Sequence, residues 1–224
     1  MDSCCQIHSP DRPRALSREE EAVNALTHGL GLVLSVIGAV VMAMTVIRHP
    51  DVWRIVGATV YVASLMAVYA MSTLSHSFHT PRWREFFRAL DQGTIYLLIA
   101  ATYTPFSLVY LRTTPWWLLL GTVWTLAICG FIAKVFFRNR VQVATIWPCL
   151  ILGWMPVISV PYLIGVVPIA AGWWMLVGGL CYTIGTIFLR YDYKVRHFHA
   201  VWHVMVLAGS LCHFLAIFMF VVQA

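Results

Sequence analysis

Phe198-His199-Ala200-Val201-Trp202-His203-Val204-Met205-Val206-Leu207-Ala208-Gly209-Ser210-Leu211-Cys212-His213-Phe214-Leu215-Ala216-Ile217-Phe218-Met219-Phe220-Val221-Val222 runs for 25 residues without an aspartate, glutamate, lysine or arginine. As an α-helix it extends about 37 Å, enough to cross a hydrocarbon core of about 30 Å. A chain in lipid must satisfy its own backbone hydrogen bonds, so a run of this length and composition predicts a spanning helix. Similar runs cover 25–47, 53–75, 90–111, 116–137, 142–162 and 165–189. Seven such segments use nearly the whole chain, with 60% hydrophobic and 11% charged residues. Soluble domains carry roughly 25% charged residues. The expected fold class is therefore all-α, a seven-transmembrane helix bundle over residues 17–224, preceded by a polar tail over 1–16. The boundary between the fifth and sixth runs rests only on Pro161, Gly165 and Pro168.

Between the runs lie short basic breaks: Arg48 to Asp51, Thr80 to Arg84, Thr113 to Pro115, Arg138 to Arg140, and Arg190 to His197. With the amino terminus inside, its side holds Arg12, Arg14, Arg18, Arg82, Arg84, Arg88, Lys134, Arg138, Arg140, Arg190, Lys194 and Arg196. Only Arg48, Arg54 and Arg112 fall on the other side. The positive-inside rule then predicts a cytoplasmic amino terminus and an external carboxyl terminus. The net charge of +6 comes from these scattered topogenic residues, which form no continuous patch for nucleic acid. Trp116-Trp117 and Trp173-Trp174 suit an aromatic belt at the outer interface. Ser17-Arg18-Glu19-Glu20 has the spacing of a capping box and predicts the start of the first helix. No apolar core of a cleavable signal precedes it. Of six cysteines, Cys129, Cys149, Cys181 and Cys212 lie in apolar runs and Cys4-Cys5 in the tail, which is no disulfide framework.

Ionisable groups at membrane helices are costly and point to function. Glu19, Glu20 and Glu21 are assigned to the amino-terminal segment, and Asp51, Glu85 and Asp192 to loops. Asp91 alone falls at the start of a spanning run. His76 closes the second run, with Ser72 one turn before it on the same face. His199 and His203 open the seventh run at i, i+4, a spacing at which two histidines can ligate one ion. The predicted topology brings His76, Asp91, His199 and His203 to one edge of the membrane. Three imidazoles and a carboxylate suit a divalent metal, zinc foremost. Three protein nitrogens leave the fourth position that catalytic zinc sites keep for water. Asp91 is then a ligand, an orienting group or a proton acceptor, and Ser72 a hydrogen-bond donor. The plainer reading of the same histidines is a polar groove or a set of headgroup contacts. His28 with Asn24 suits either a supporting or an interfacial role. His213, about 15 Å deeper at helical rise, suits an interhelical hydrogen bond. Pro105, inside Thr102-Tyr103-Thr104-Pro105, predicts a kink whose freed carbonyl the threonines satisfy.

Four motifs carry a resemblance. They are Glu20-Glu21-Ala22-Val23-Asn24-Ala25-Leu26-Thr27-His28-Gly29, Ser72-Thr73-Leu74-Ser75-His76, Leu90-Asp91-Gln92-Gly93-Thr94-Ile95-Tyr96 with Ala101 to Phe106, and His199-Ala200-Val201-Trp202-His203 with Val206 to Ser210 and His213-Phe214. From about residue 19 to the end the chain resembles the bacterial hemolysin III family, which is similar to the progestin and adipoQ receptors and, more distantly, to alkaline ceramidases. The resemblance implies seven helices with the amino terminus inside the bacterial plasma membrane. It implies Zn2+ held by His76, His199 and His203, with Asp91 and Ser72 as the catalytic pair. Gln92 departs from the histidine that many members carry there and puts only secondary tuning in doubt. The activities in view are hydrolysis of a lipid amide or ester, receptor-like regulation around structural zinc, and cytolytic pore formation. Membrane lipids are the expected partners.

Overall fold

The computed structural model describes residues 16–48, 50–137 and 146–223. Its helices are α1 (Arg18–Arg48), α2 (Val52–Ser77), α3 (Pro81–Tyr110), α4 (Thr114–Phe136), α5 (Ile146–Trp154), α6 (Val160–Leu163), α7 (Ile169–Tyr191) and α8 (Phe198–Ile217). A 3-10 turn, Met155–Ser159, joins α5 to α6, and a π turn, Phe218–Val222, extends α8. Taking α5 and α6 as one broken span, seven segments among the described residues are long and apolar enough to cross a membrane. Among the described residues the only β pairing is an isolated bridge between Ile164 and Val167.

Local chemistry sets the ends of these helices. The capping box forms: the Glu20 amide donates to Ser17 Oγ at 3.2 Å, and the Ser17 amide to Glu20 Oε2 at 3.0 Å. Asp51 caps α2 by accepting from the amides of Trp53 and Arg54. Pro81 stands in the first turn of α3, where its missing N–H costs nothing. That helix begins nine residues before the apolar run at 90, so Arg82, Trp83 and Arg84, read as a break between runs, are helical. Glu85 also lies on α3 rather than in a loop. Apolar content marks only the lipid-embedded part of a helix, so the charged first turns escaped it. Between α6 and α7, Gly165 takes φ +84°, a region open to glycine, and the chain turns there as expected.

The helices are inverted relative to those of a soluble bundle. From Glu21 onward the buried positions of α1 are Glu21, Asn24, His28, Gly31, Ser35, Gly38, Met42 and Val46, spaced by threes and fours. The opposite face shows Leu26, Leu30, Val33, Ile37, Val40, Met44 and Ile47, all exposed. Lipid is as apolar as leucine, so burial selects small and polar side chains that bring backbones close or bond across helices. A Cβ at Gly57 of α2 would come within 2.9 Å of Pro105 Cα, and one at Gly178 of α7 within 2.3 Å of His213 Cδ2.

α1 packs between α2 and α8, α3 between α2 and α4, and α7 against α8. The inner helix is α3: 72% of its apolar stretch is buried, against 11–44% for the other spans. Thr102 and Thr104 donate to the carbonyls of Leu98 and Ala100, not to that of Ala101, which Pro105 leaves without its helical donor. Their expected role at the proline is thereby corrected: each makes an ordinary i−4 bond.

Candidate metal centre

The end of the bundle where α1, α3 and α8 begin and α2 and α7 finish gathers the predicted residues. His76 and His203 are buried, and His199 is partly open to the outside. One nitrogen from each lies within 4.8 Å of the others. The ring centroids are 5.0 Å apart for His76 and His199, 5.1 Å for His76 and His203, and 4.7 Å for His199 and His203. The i, i+4 spacing on α8 sets the last pair. The closing turn of α2 supplies His76.

Asp91 reaches the same space from the third turn of α3. Its carboxylate interacts with His76 and His199, and Ser75 Oγ donates to Asp91 Oδ2 at 3.4 Å. Ser72 is buried beside it and bonds its hydroxyl to His28 Nδ1 at 2.6 Å. The His28 ring stacks on His203 at 3.5 Å between centroids. His28 therefore lines the site from α1. The predicted cluster is assembled from three helices, α2, α3 and α8, with His28 joining from α1, and none of its members is left elsewhere.

The structure adds residues that sequence reading set aside. His76 Nδ1 meets Glu21 Oε2 at 2.6 Å, and Arg84 pairs with the other oxygen of the same carboxylate. His199 Nδ1 meets Asp192 Oδ2 at 2.8 Å. His203 Nδ1 faces the Asn24 carbonyl at 3.2 Å and Thr27 Oγ1 at 3.1 Å. Glu20 binds the amide of His197, a residue in the left-handed conformation at φ 65° that turns the chain into α8. Glu19 pairs with Arg196. The three glutamates of the opening segment thus reach α2, α3 and the α7–α8 connection, and Asp192, assigned to a loop, closes α7 beside His199. A signal for Glu21 existed: Glu21, Asn24 and His28 share the spacing of Gly31, Ser35 and Gly38, a polar and small face on an apolar helix. Asp192 carried no such periodic mark.

Elsewhere His79 is exposed, and His213 Nε2 bonds the Met175 carbonyl across to α7 at 3.1 Å, as an interhelical role requires. Cys129, Cys149, Cys181 and Cys212 are free thiols. Cys4, Cys5, His8, His49, Arg12, Arg14, Arg138 and Arg140 lie outside the described residues.

The donor set fits a divalent metal. Three converging imidazoles match zinc chemistry. In addition, His76 Nε2 is buried with no hydrogen-bond partner. A buried polar atom without a partner is uncommon and calls for an explanation such as an ion.

Fold and site together define a helical integral membrane protein with a histidine cluster at one end of the bundle. The Haemolysin-III related family matches residues 16–214, and the chain belongs to that family. It is 38% identical over 203 residues to Hemolysin-3 of Bacillus cereus, covering 91% of this chain and 92% of the relative. It is 35% identical over 205 residues to the Hemolysin-3 homolog of Bacillus subtilis, covering 92% and 96%. A more distant likeness, 25% over 217 residues and 92% and 86% of the two chains, is to the monocyte to macrophage differentiation factor of Homo sapiens.

Proposed function

We propose that His76, His199 and His203 hold a zinc ion and that the chain is a zinc-dependent hydrolase of a lipid amide or ester. The bundle sits in the bacterial inner membrane with the histidine end and the amino terminus in the cytoplasm. The observation that carries this reading is the convergence of three imidazoles, with Asp91 near two of them and the buried His76 Nε2 lacking a partner. An ion held by His76, His199 and His203 would polarise a carbonyl and lower the pKa of a water toward about 7. Asp91 takes the proton from the attacking water at its carboxylate. Ser72, held by His28, presents its hydroxyl to the developing oxyanion. His199 is the partly open member of the cluster and marks the side from which an inner-leaflet lipid headgroup approaches.

Zinc as a purely structural clamp is the competing reading, favoured by the way the histidines join α2 to α8. The printed name of the bacterial relatives points instead to lysis. One set of measurements separates the three. Bound metal per chain is expected to be one equivalent in wild type and near zero in His76→Ala, His199→Ala and His203→Ala. Full occupancy in all three variants sinks the site. A zinc-loaded protein that turns over no lipid amide or ester in a broad screen leaves the structural reading. Liposome leakage that persists after chelation favours the lytic one.

A further inference from the structure

Each clustered histidine has its Nδ1 tied to an acceptor outside the cluster. The acceptors are the Glu21 carboxylate from α1, the Asp192 carboxylate closing α7, and the Asn24 carbonyl of α1. Carboxylates and carbonyls only accept, so each of these nitrogens must carry a proton. Thr27 does not alter this for His203: its hydroxyl hydrogen is directed to the carbonyls of Val23 and Asn24, so its oxygen faces Nδ1 as an acceptor. A neutral imidazole with a proton on Nδ1 has its lone pair on Nε2. His76 Nε2 is buried without a partner, as is His28 Nε2 on the neighbouring ring. The hydrogen-bond pattern therefore leaves the Nε2 atoms of all three rings as the atoms available to an ion.

We infer that Glu21 and Asp192 are positioning residues of the metal centre, which fix the rings of His76 and His199 so that Nε2 is the ligating atom. The inference rests on the proposed zinc site and adds how it is set. The two carboxylates are not equivalent. Glu21 is 5% exposed and divides its oxygens between His76 and Arg84, so Arg84 of α3 is joined to the cluster through it. Asp192 is a quarter exposed and makes its contact at a helix end. A histidine ligand whose second nitrogen donates to a carboxylate is held in one orientation and is more basic at the metal. Glu19 supplies the internal control, because it lies in the same acidic run yet pairs with exposed Arg196 and touches no histidine.

The test uses the full chain in detergent micelles, stripped of metal and titrated with zinc against a chromophoric chelator. A cobalt(II) titration adds the ligand-field absorption of the site. Glu21→Gln and Asp192→Asn keep the size and an acceptor but remove the charge. Each is expected to weaken zinc about 10- to 100-fold and to shift the cobalt spectrum, while Glu19→Gln matches wild type. Glu21→Gln also leaves Arg84 without its carboxylate; if it fails to fold, Asp192→Asn at the open helix end decides alone. Restored affinity in Asp192→Glu supports the charge as the cause. Wild-type affinity and spectrum in the carboxamide variants overturn the assignment and leave the zinc site standing. A wild type that binds no zinc overturns both.

Discussion

At the scale of single residues, a carboxylate among membrane helices persists only with partners, because an unpaired buried charge costs several kcal/mol. Glu21 meets that condition with His76 and Arg84 on its two oxygens. Asp91 meets it differently, with the Ser75 hydroxyl and the neighbouring histidines. The contrast separates their roles: Glu21 is bonded to Nδ1 of the His76 ring, while Asp91 bonds Ser75 and lies near His76 and His199. Asp91→Asn is therefore expected to fold and to retain its zinc, and to lose about 10²- to 10⁴-fold in lipid hydrolysis, the range of a general base. Turnover assays alongside metal analysis check it. Unchanged turnover removes Asp91 from the chemistry, and loss of zinc makes it a ligand.

At the scale of elements, α7 and α8 show how small residues set helix distance in lipid. Gly178 and Gly209 face each other, and a Cβ at either would stand 3.0 Å from the other's carbonyl oxygen. His213 lies over Gly178 and bonds Met175 one turn earlier on α7. Gly178→Ala forces this contact apart and is expected to destabilise the bundle by about 1–3 kcal/mol, the usual cost of overpacking. Gly172→Ala on the same helix meets nothing within 4 Å and is expected to change stability little. Denaturation of both variants in mixed micelles gives the comparison; equal stability contradicts the packing described here. The spans themselves were legible because lipid demands long uncharged runs. The break within the fifth span, at Met155–Ser159, was not read from the sequence, where Pro161, Gly165 and Pro168 marked only the end of that span. The early start of α3 was hidden by its arginines, which look like loop charges until Glu21 is seen beside Arg84.

At the scale of the whole molecule, the helix ends that carry histidines also carry most of the basic residues. Sidedness is thus a prediction about function as well as topology. A fluorescent protein that matures only in the cytoplasm should glow when fused to the amino terminus and stay dark when fused to the carboxyl terminus. The reverse pattern would place the histidine centre outside and remove the inner-leaflet lipid as its substrate. The interior positions of α3 follow from the same packing. The inner helix can carry polar residues such as Thr94, Thr102 and Thr104 because the other spans shield it from lipid.

By itself, the sequence determined the class, the number of spans and the ligand candidates. Hydrophobic length and the i, i+4 spacing of His199 and His203 are local properties, and a local reading recovers them. That His76 and Asp91 share one end with them followed from counting helix ends, which needs no contact information. Only the tertiary structure decided which groups stand behind the clustered histidines. Glu21 lies 55 positions from His76 in sequence, and Asn24 lies 179 from His203. No periodicity links residues on different helices. Their meeting depends on which face of α1 turns inward, and that is fixed by packing Gly31, Ser35 and Gly38 against neighbouring helices while leucines and valines take the lipid.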